Sequence, residues 1–237
     1  GGREYIHFHE PETADNFAIN HNVIKSAWKN DVSKIIFTSS ACVYPEKFQN
    51  VNFKPLEEDD IKLSGELQAD KLYGWGKIIC EIELKVFNEN YGLKSAIARF
   101  FTAYGPRENT THAIIALLTR AINKENPFLA WGDGTQGRDF IYVSDLVDGL
   151  MRLDKIDNAL PINFGYGRLI TIDEVLAKIF ELTNFYPTVK YDKEKPVGPY
   201  RRVANISRAK ELLDWSPKVS LEEGLKKTYE YLLANRM

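Results

Sequence analysis

Tyr73 and Lys77 stand four residues apart in the run Tyr73-Gly74-Trp75-Gly76-Lys77. On a helix that spacing puts both side chains on one face. An ammonium beside a phenol favours the phenolate, so Lys77 is expected to lower the pKa of Tyr73. A phenol tuned in this way is a general base toward a sugar hydroxyl near neutral pH. Upstream, Thr38-Ser39-Ser40-Ala41-Cys42-Val43-Tyr44-Pro45 follows the apolar segment Lys34-Ile35-Ile36-Phe37. A hydroxyl at that strand end, Ser40, is placed to share the same substrate proton. Tyr-x-x-x-Lys alone occurs on many surface helices. The strand end before it makes the arrangement specific.

These residues need a framework of strands and helices to meet. Residues 34–39 read as a short buried strand. Residues 14–28 read as a helix with Ile19, Val23, Ile24 and Ala27 on one face, and residues 1–13 before it as loop. Residues 59–71 read as a polar, acidic loop leading to Tyr73. A helix over 76–91 crowds Ile78, Ile79, Ile82, Leu84, Val86 and Phe87 on its apolar side, with Cys80 packed among them, and stops at Gly92. Further strands are expected at 94–100, 128–131, 138–143, 161–165 and 188–191, and helices at 112–123, 207–213 and 221–234. Ser144-Asp145 is expected to cap one helix, and Thr171 with Glu174 to form a capping box opening another. Alternating strands and helices imply parallel βαβ units. The shorter, mixed later segments imply a smaller α+β lobe over the sheet.

The 237 residues are 44% hydrophobic and 27% charged, with a formal charge of -2, which offers no basis for bulk nucleic-acid binding. No apolar run approaches the roughly 20 residues that span a bilayer, and no signal peptide is visible. Two cysteines, Cys42 and Cys80, make no disulfide framework, and a reducing cytoplasm fits that usage. His7, His9 and His21 have no partners at metal-ligand spacing.

The landmarks Ser40-Ala41-Cys42-Val43-Tyr44, Tyr73-x3-Lys77, Arg99-Phe100-Phe101-x2-Tyr104-Gly105-Pro106, Gly132-Asp133-Gly134-x3-Arg138-Asp139-Phe140 and Leu213-Asp214-Trp215-x-Pro217 together resemble the extended short-chain dehydrogenase/reductase family. These are the NAD-dependent nucleotide-sugar epimerases and dehydratases. The resemblance implies an α/β fold: the C-terminal part of a Rossmann-like doubly wound parallel sheet with a smaller α+β substrate-binding lobe. It places the partial NAD-binding domain at 1–105, returning at 138–165, and the substrate lobe mainly at 106–137 and 166–237. It implies NAD or NADP as cofactor, with Ser39, Tyr73, Lys77 and Phe100 on its side. It implies a nucleotide-diphosphate sugar as ligand, with Thr102, Trp131, Arg138 and Arg202 on that side. Guanidinium groups match diphosphate oxygens bidentately, Arg201 being the alternative to Arg202, and Trp131 is a candidate to stack on the base. The helices after Ala14 and Gly76 resemble the family's four-helix dimer interface, which implies a homodimer.

One landmark of that family is absent, because neither G-x-G-x-x-G nor G-x-x-G-x-x-G stands in the sequence. That turn aims a helix N-terminus at the NAD pyrophosphate. The expectation is therefore that the chain starts in the loop after the sheet's fourth strand. Alone it would be inactive, bind NAD poorly, and show an unpaired apolar edge at 34–39.

Within the family, Cys42 followed by Val43-Tyr44-Pro45 looks like GDP-mannose 3,5-epimerase and GDP-L-fucose synthase. A 4-keto sugar acidifies its C3 and C5 protons, and inversion there needs a base on one face and an acid on the other. A thiol serves if positive charge favours its thiolate. His112 stands where fucose synthase carries its acid/base histidine. Ser40, Cys42, Tyr73, Lys77 and His112 are thus the catalytic candidates for a 3,5-epimerisation of a GDP-sugar or related nucleotide sugar. Thr102 pulls the other way: Phe-Phe-Thr-x-Tyr-Gly-Pro also occurs in UDP-glucuronate 4-epimerases, for which Cys42 and His112 would be bystanders. A nucleotide-sugar-binding remnant without turnover is the reading of another class.

Overall fold

The computed structural model describes residues 8–61 and 68–235. Helix α1 (Glu10–Lys29) opens with proline in its first turn, Glu10 and Glu12 there, and Lys29 in its last turn. Proline is tolerated at that end and the charges complement the helix dipole, so the helix starts earlier than its apolar pattern suggests. Strand β1 (Ile35–Ser40) runs into a 3-10 turn, Ala41–Val43. Helix α2 (Lys71–Tyr91) ends on Gly92 at φ 70, the left-handed cap that glycine favours. It begins before the expected residue 76, so Tyr73 stands in its first turn rather than at the end of a loop.

Then come β2 (Ser95–Phe100), β3 (Thr102–Tyr104), α3 (Ala113–Ile122), β4 (Phe128–Trp131), β5 (Gly137–Arg138), β6 (Phe140–Tyr142) and α4 (Val143–Arg152). The chain continues through β7 (Asn158–Phe164), β8 (Ile170–Thr171), α5 (Ile172–Thr183), β9 (Val189–Asp192), β10 (Arg201–Arg202), α6 (Ser207–Leu213) and α7 (Leu221–Ala234). Thr171 does cap α5, its hydroxyl accepting from the Glu174 N–H at 3.1 Å. The expected Ser144-Asp145 cap does not form. β6 passes into α4 without a break, which leaves Asp145 inside the first turn. Its carboxylate instead accepts from the N–H groups of Lys218 and Val219, both at 2.9 Å.

The main sheet has the order β1-β2-β7, all parallel. Ser40 pairs with Phe100 and Phe100 with Phe164, so all three strands end along one line. In open parallel sheets that carboxyl edge is where a crevice forms. β1 is not the buried strand its composition suggests. Among the described residues β2 is its one strand partner, Ile36 is 40% exposed, and Ser39 is its one buried residue. Three shorter sheets follow: β3 with β6, β4 with β9, and β10-β5-β8.

Hydrophobic burial organises around these sheets. Tyr44, Phe164 and Trp215 anchor the cluster beneath the carboxyl edge. Phe128, Ile179 and Leu225 belong to a second cluster, which joins β4, α5 and α7. Ile24, Cys80, Leu84 and Ile97 form a third, between the α1–α2 pair and β2. The apolar stripe expected on α1 divides: Ile24 is buried, whereas Ile19 and Val23 are more than half exposed. Among the described residues no helix is long and apolar enough to cross a membrane.

Candidate active site

The site begins where β1 turns. The Ser40 hydroxyl accepts from the Cys42 N–H at 3.1 Å, and the Cys42 carbonyl accepts from the Asp70 N–H at 2.9 Å. Helix α2 comes down on that turn at Gly74. A Cβ built there would lie 2.3 Å from the Cys42 carbonyl oxygen, so only glycine lets the helix approach this closely. The approach brings Tyr73 close enough to Ser40 for the serine hydroxyl to favour the phenolate.

The expected electrostatics of this pair are overturned. Burial pushes the Tyr73 phenol up, and Cys42 adds to the rise, while Ser40 and Arg202 pull it the other way. Lys77 does not neutralise the phenol. Its ammonium donates to the Thr38 carbonyl at 2.8 Å and stands 4.9 Å from the Phe37 ring centroid and 5.8 Å from that of Tyr73. Burial pushes Lys77 itself down. Desolvation penalises both charged forms here, the Tyr73 phenolate and the Lys77 ammonium.

Three residues singled out for ligand contact, Ser39, Arg202 and Arg138, are engaged inside the protein. The Ser39 hydroxyl is buried and donates to Glu81 Oε1 at 2.5 Å. Glu81 in turn holds Arg99, whose Nη2 lies 2.6 Å from Oε2. Arg202 is 8% exposed. Its Nη1 donates to Cys42 Sγ at 3.3 Å, Nη2 to Asp70 Oδ2 at 3.4 Å, and Nε to Gln49 Oε1. A guanidinium is thus held against the thiol by two buried side chains. Arg138 donates to the carbonyls of Gly137, Tyr200 and Val197, which ties down the segment before β10. The face of Trp131 carries the Lys195 ammonium, 5.6 Å from the ring centroid.

One open cleft of about 1200 Å³ gathers the candidate catalytic and ligand-contact residues. Ser40, Cys42, Tyr73, Lys77 and His112 line it. So do Ser39, Phe100 and Thr102 at the strand ends, together with Trp131, Arg138 and Arg202. Arg201 has its guanidinium 5.7 Å from the Phe53 ring and bonds the Val51 carbonyl. Tyr73, Lys77 and Phe100 fit the nicotinamide-ribose half of NAD, because a phenol, an ammonium and an apolar ring meet where strands end. His9 pairs with Glu12 and His21 with Glu83, and His7 lies outside the described residues.

Sequence reasoning missed four participants: Glu108 against His112, Asp70 and Gln49 against Arg202, and Glu81 behind Ser39. Glu108 and Glu81 carried a local signal, standing four residues before His112 and four after Lys77. Gln49 carried none, since its partner is 153 residues away.

The chain is 29% identical to GDP-mannose 3,5-epimerase of Arabidopsis thaliana over 98% of its own length and 62% of that protein's. It therefore spans about three-fifths of that relative. It is 30% identical to GDP-L-fucose synthase 1 of the same plant, over 97% of this chain and 74% of that one. The crystal structure of UDP-glucose 4-epimerase with UDP-glucose from Thermotoga maritima superposes with a TM-score of 0.84 at 29% identity, covering 98% of this chain and 74% of that one. Residues 6–163 match the model of the NAD dependent epimerase/dehydratase family, and the chain belongs to that family.

Proposed function

We propose that the chain serves nucleotide-sugar epimerisation through a 4-keto-hexose, with inversion at C3 or C5 of a GDP-sugar or a related nucleotide sugar. The observation that carries this reading is the meeting of Cys42 and His112 in the same cleft as Ser40, Tyr73 and Lys77. Ser40 and Tyr73 hold the C4 hydroxyl, and Tyr73 acts as phenolate in the oxidation, taking the hydroxyl proton as hydride leaves C4 and giving it back to the C4 oxygen when hydride returns. NAD, when bound, supplies the oxidation of C4 and its later reduction, and Lys77 holds the cofactor's ribose. The ketone acidifies the neighbouring C–H bonds. Cys42 Sγ takes the proton from one face, with the Arg202 guanidinium alongside to balance the thiolate. His112 returns a proton on the other face. Arg138 and Arg202 bound the diphosphate end, and the exposed Ile19, Val23, Ile79 and Val86 of α1 and α2 supply the apolar surface of a homodimer.

Turnover in D2O by the native protein, with NAD and a nucleotide sugar supplied, tests this. Deuterium is expected at C3 or C5, and Cys42→Ser should abolish that exchange while the C4 chemistry survives. Inversion at C4 with no deuterium in the ring would sink the proposal. It would favour the second reading, a UDP-sugar 4-epimerase, which Thr102 in the cleft and the likeness to the Thermotoga enzyme support. Tight binding of a nucleotide sugar without turnover, NAD being abundant, would instead mark a binding protein.

A further inference from the structure

His112 and Glu108 form a built pair at the edge of the cleft. The backbone between them folds tightly. Arg107 takes φ 66, Glu108 N–H donates to the Gly105 carbonyl at 3.3 Å, and His112 N–H to the Asn109 carbonyl at 3.0 Å. Asn109 Oδ1 fastens the turn by accepting from the Thr111 N–H and hydroxyl at 2.9 and 2.8 Å. His112 then anchors α3, its carbonyl accepting the Ala116 N–H at 2.9 Å. This path sets Glu108 Oε1 2.7 Å from His112 Nδ1. The Glu108 side chain is the more buried of the two, 15% exposed against 36%. Its other oxygen, Oε2, is buried without a hydrogen-bond partner among the described residues. An unmatched buried acceptor is costly and is kept where it has a task.

A carboxylate only accepts hydrogen bonds, so the Nδ1 that faces Glu108 carries a proton. We propose that Glu108 is a positioning residue for His112. It fixes the imidazole in the Nδ1–H form, sets the ring's direction, and balances the imidazolium while Nε2 delivers its proton. The proposal rests on the reading of His112 as an acid/base above. In the step concerned, Nε2–H gives its proton to the carbanionic ring carbon on the face opposite Cys42, whose sulfur has taken the proton from the first face. The histidine ends neutral with Nδ1–H intact, and Glu108 stays anionic throughout. Lys77, Asp70, Arg107, Arg120 and Arg202 also line the cleft, and Glu108 is in hydrogen-bond contact with the imidazole.

The test combines nitrogen-15 NMR of the imidazoles with deuterium exchange into the sugar ring, the His112 signals being assigned by their loss in His112→Asn. In the wild type the neutral ring should be the Nδ1–H tautomer. Glu108→Ala should shift it toward Nε2–H, lower the His112 titration midpoint by about one pH unit, and slow exchange roughly tenfold to a hundredfold with KM unchanged. Glu108→Gln keeps an acceptor without the charge. It should restore the tautomer yet leave the midpoint low, a split that a purely structural role would not produce. An unchanged tautomer and midpoint in Glu108→Ala, with exchange still abolished in His112→Asn, would overturn the role of Glu108 alone. Undiminished exchange in His112→Asn would overturn the acid/base reading of His112 itself.

Discussion

Cys42 and Cys80 are the two thiols of the chain, and their surroundings set them apart. Cys80 is 2% exposed inside an apolar cluster, and burial pushes its thiol up to about 12. A thiol so placed is almost never ionised at neutral pH and has no path to a reagent. Cys42 is half-buried, lines the cleft and touches a guanidinium. Iodoacetamide at neutral pH should therefore alkylate Cys42 and spare Cys80, and a bound nucleotide sugar should slow the reaction. Peptide mass spectrometry reads both sites, and labelling of Cys80 first or at an equal rate would contradict the assignment. On the proposed reading Tyr73→Phe removes the oxygen that exchanges the C4 hydroxyl proton, and it should lower turnover by at least about a hundredfold with an unchanged unfolding midpoint. That Cys42 and Tyr73 are candidates for one site was readable from type and spacing, and the two line one cleft. The direction of the Tyr73 shift was not, since it depends on desolvation. Sequence spacing sets which groups are neighbours, but not whether water reaches them.

Helix α2 shows which packing demands can be read in a sequence and which cannot. Two of its glycines, Gly74 and Gly76, look equivalent in Tyr73-Gly74-Trp75-Gly76-Lys77, yet the structure separates them. At Gly74 an added Cβ meets the Cys42 carbonyl oxygen at 2.3 Å, whereas at Gly76 the nearest atom is 3.8 Å away. Gly74→Ala should cost about 1–3 kcal/mol and move Tyr73 off Ser40, with activity falling as well. Gly76→Ala should be neutral or stabilise by up to about 1 kcal/mol through helix propensity. Urea unfolding distinguishes the two, and equal effects would mean that the close approach at Cys42 does not constrain the helix. Farther along, Glu81 joins Arg99 of β2 and Ser39 of β1 in a buried network. Removing one member leaves a charge uncompensated, so Glu81→Ala should cost about 3–5 kcal/mol. Replacing both partners by Leu and Met should cost less than the sum of the single changes. Helix α5 was legible through its capping box, and α2 through its apolar side and Gly92. The Glu81–Arg99 pair was not, because it joins a helix to a strand that only the βαβ crossover brings together.

The long-range assembly of the chain converges on Asp139. Its carboxylate accepts from the N–H groups of Tyr166, Gly167 and Ala204, its N–H donates to the Arg202 carbonyl, and its own carbonyl accepts from Thr102. One fully buried residue thus ties the exit of β7 to β10 and to β3. It was visible in the sequence only as part of Arg138-Asp139-Phe140, with nothing to show that it is a fastening. Three N–H donors favour the carboxylate and burial opposes it, and burial is the larger effect, raising the pKa from 3.8 to about 6. Between those values the native chain holds the proton more tightly than the unfolded chain does. Stability from this group is therefore fully present below pH 4 and falls as pH rises toward 6, by about 3 kcal/mol in all. Carbon-13 NMR of the Asp139 carboxyl should show a midpoint near 6. The pH dependence of urea unfolding should lose a falling component over that window in Asp139→Asn, if that variant folds. A midpoint below 4 in the wild type would mean that the three donors outweigh burial, and would remove the pH dependence with them. Either result bears on the cleft, because Asp139 is flanked by Arg138 and holds the Arg202 backbone. Loosening it displaces the guanidinium that touches Cys42, so a loss of stability at this position should appear together with a slower Cys42-dependent exchange.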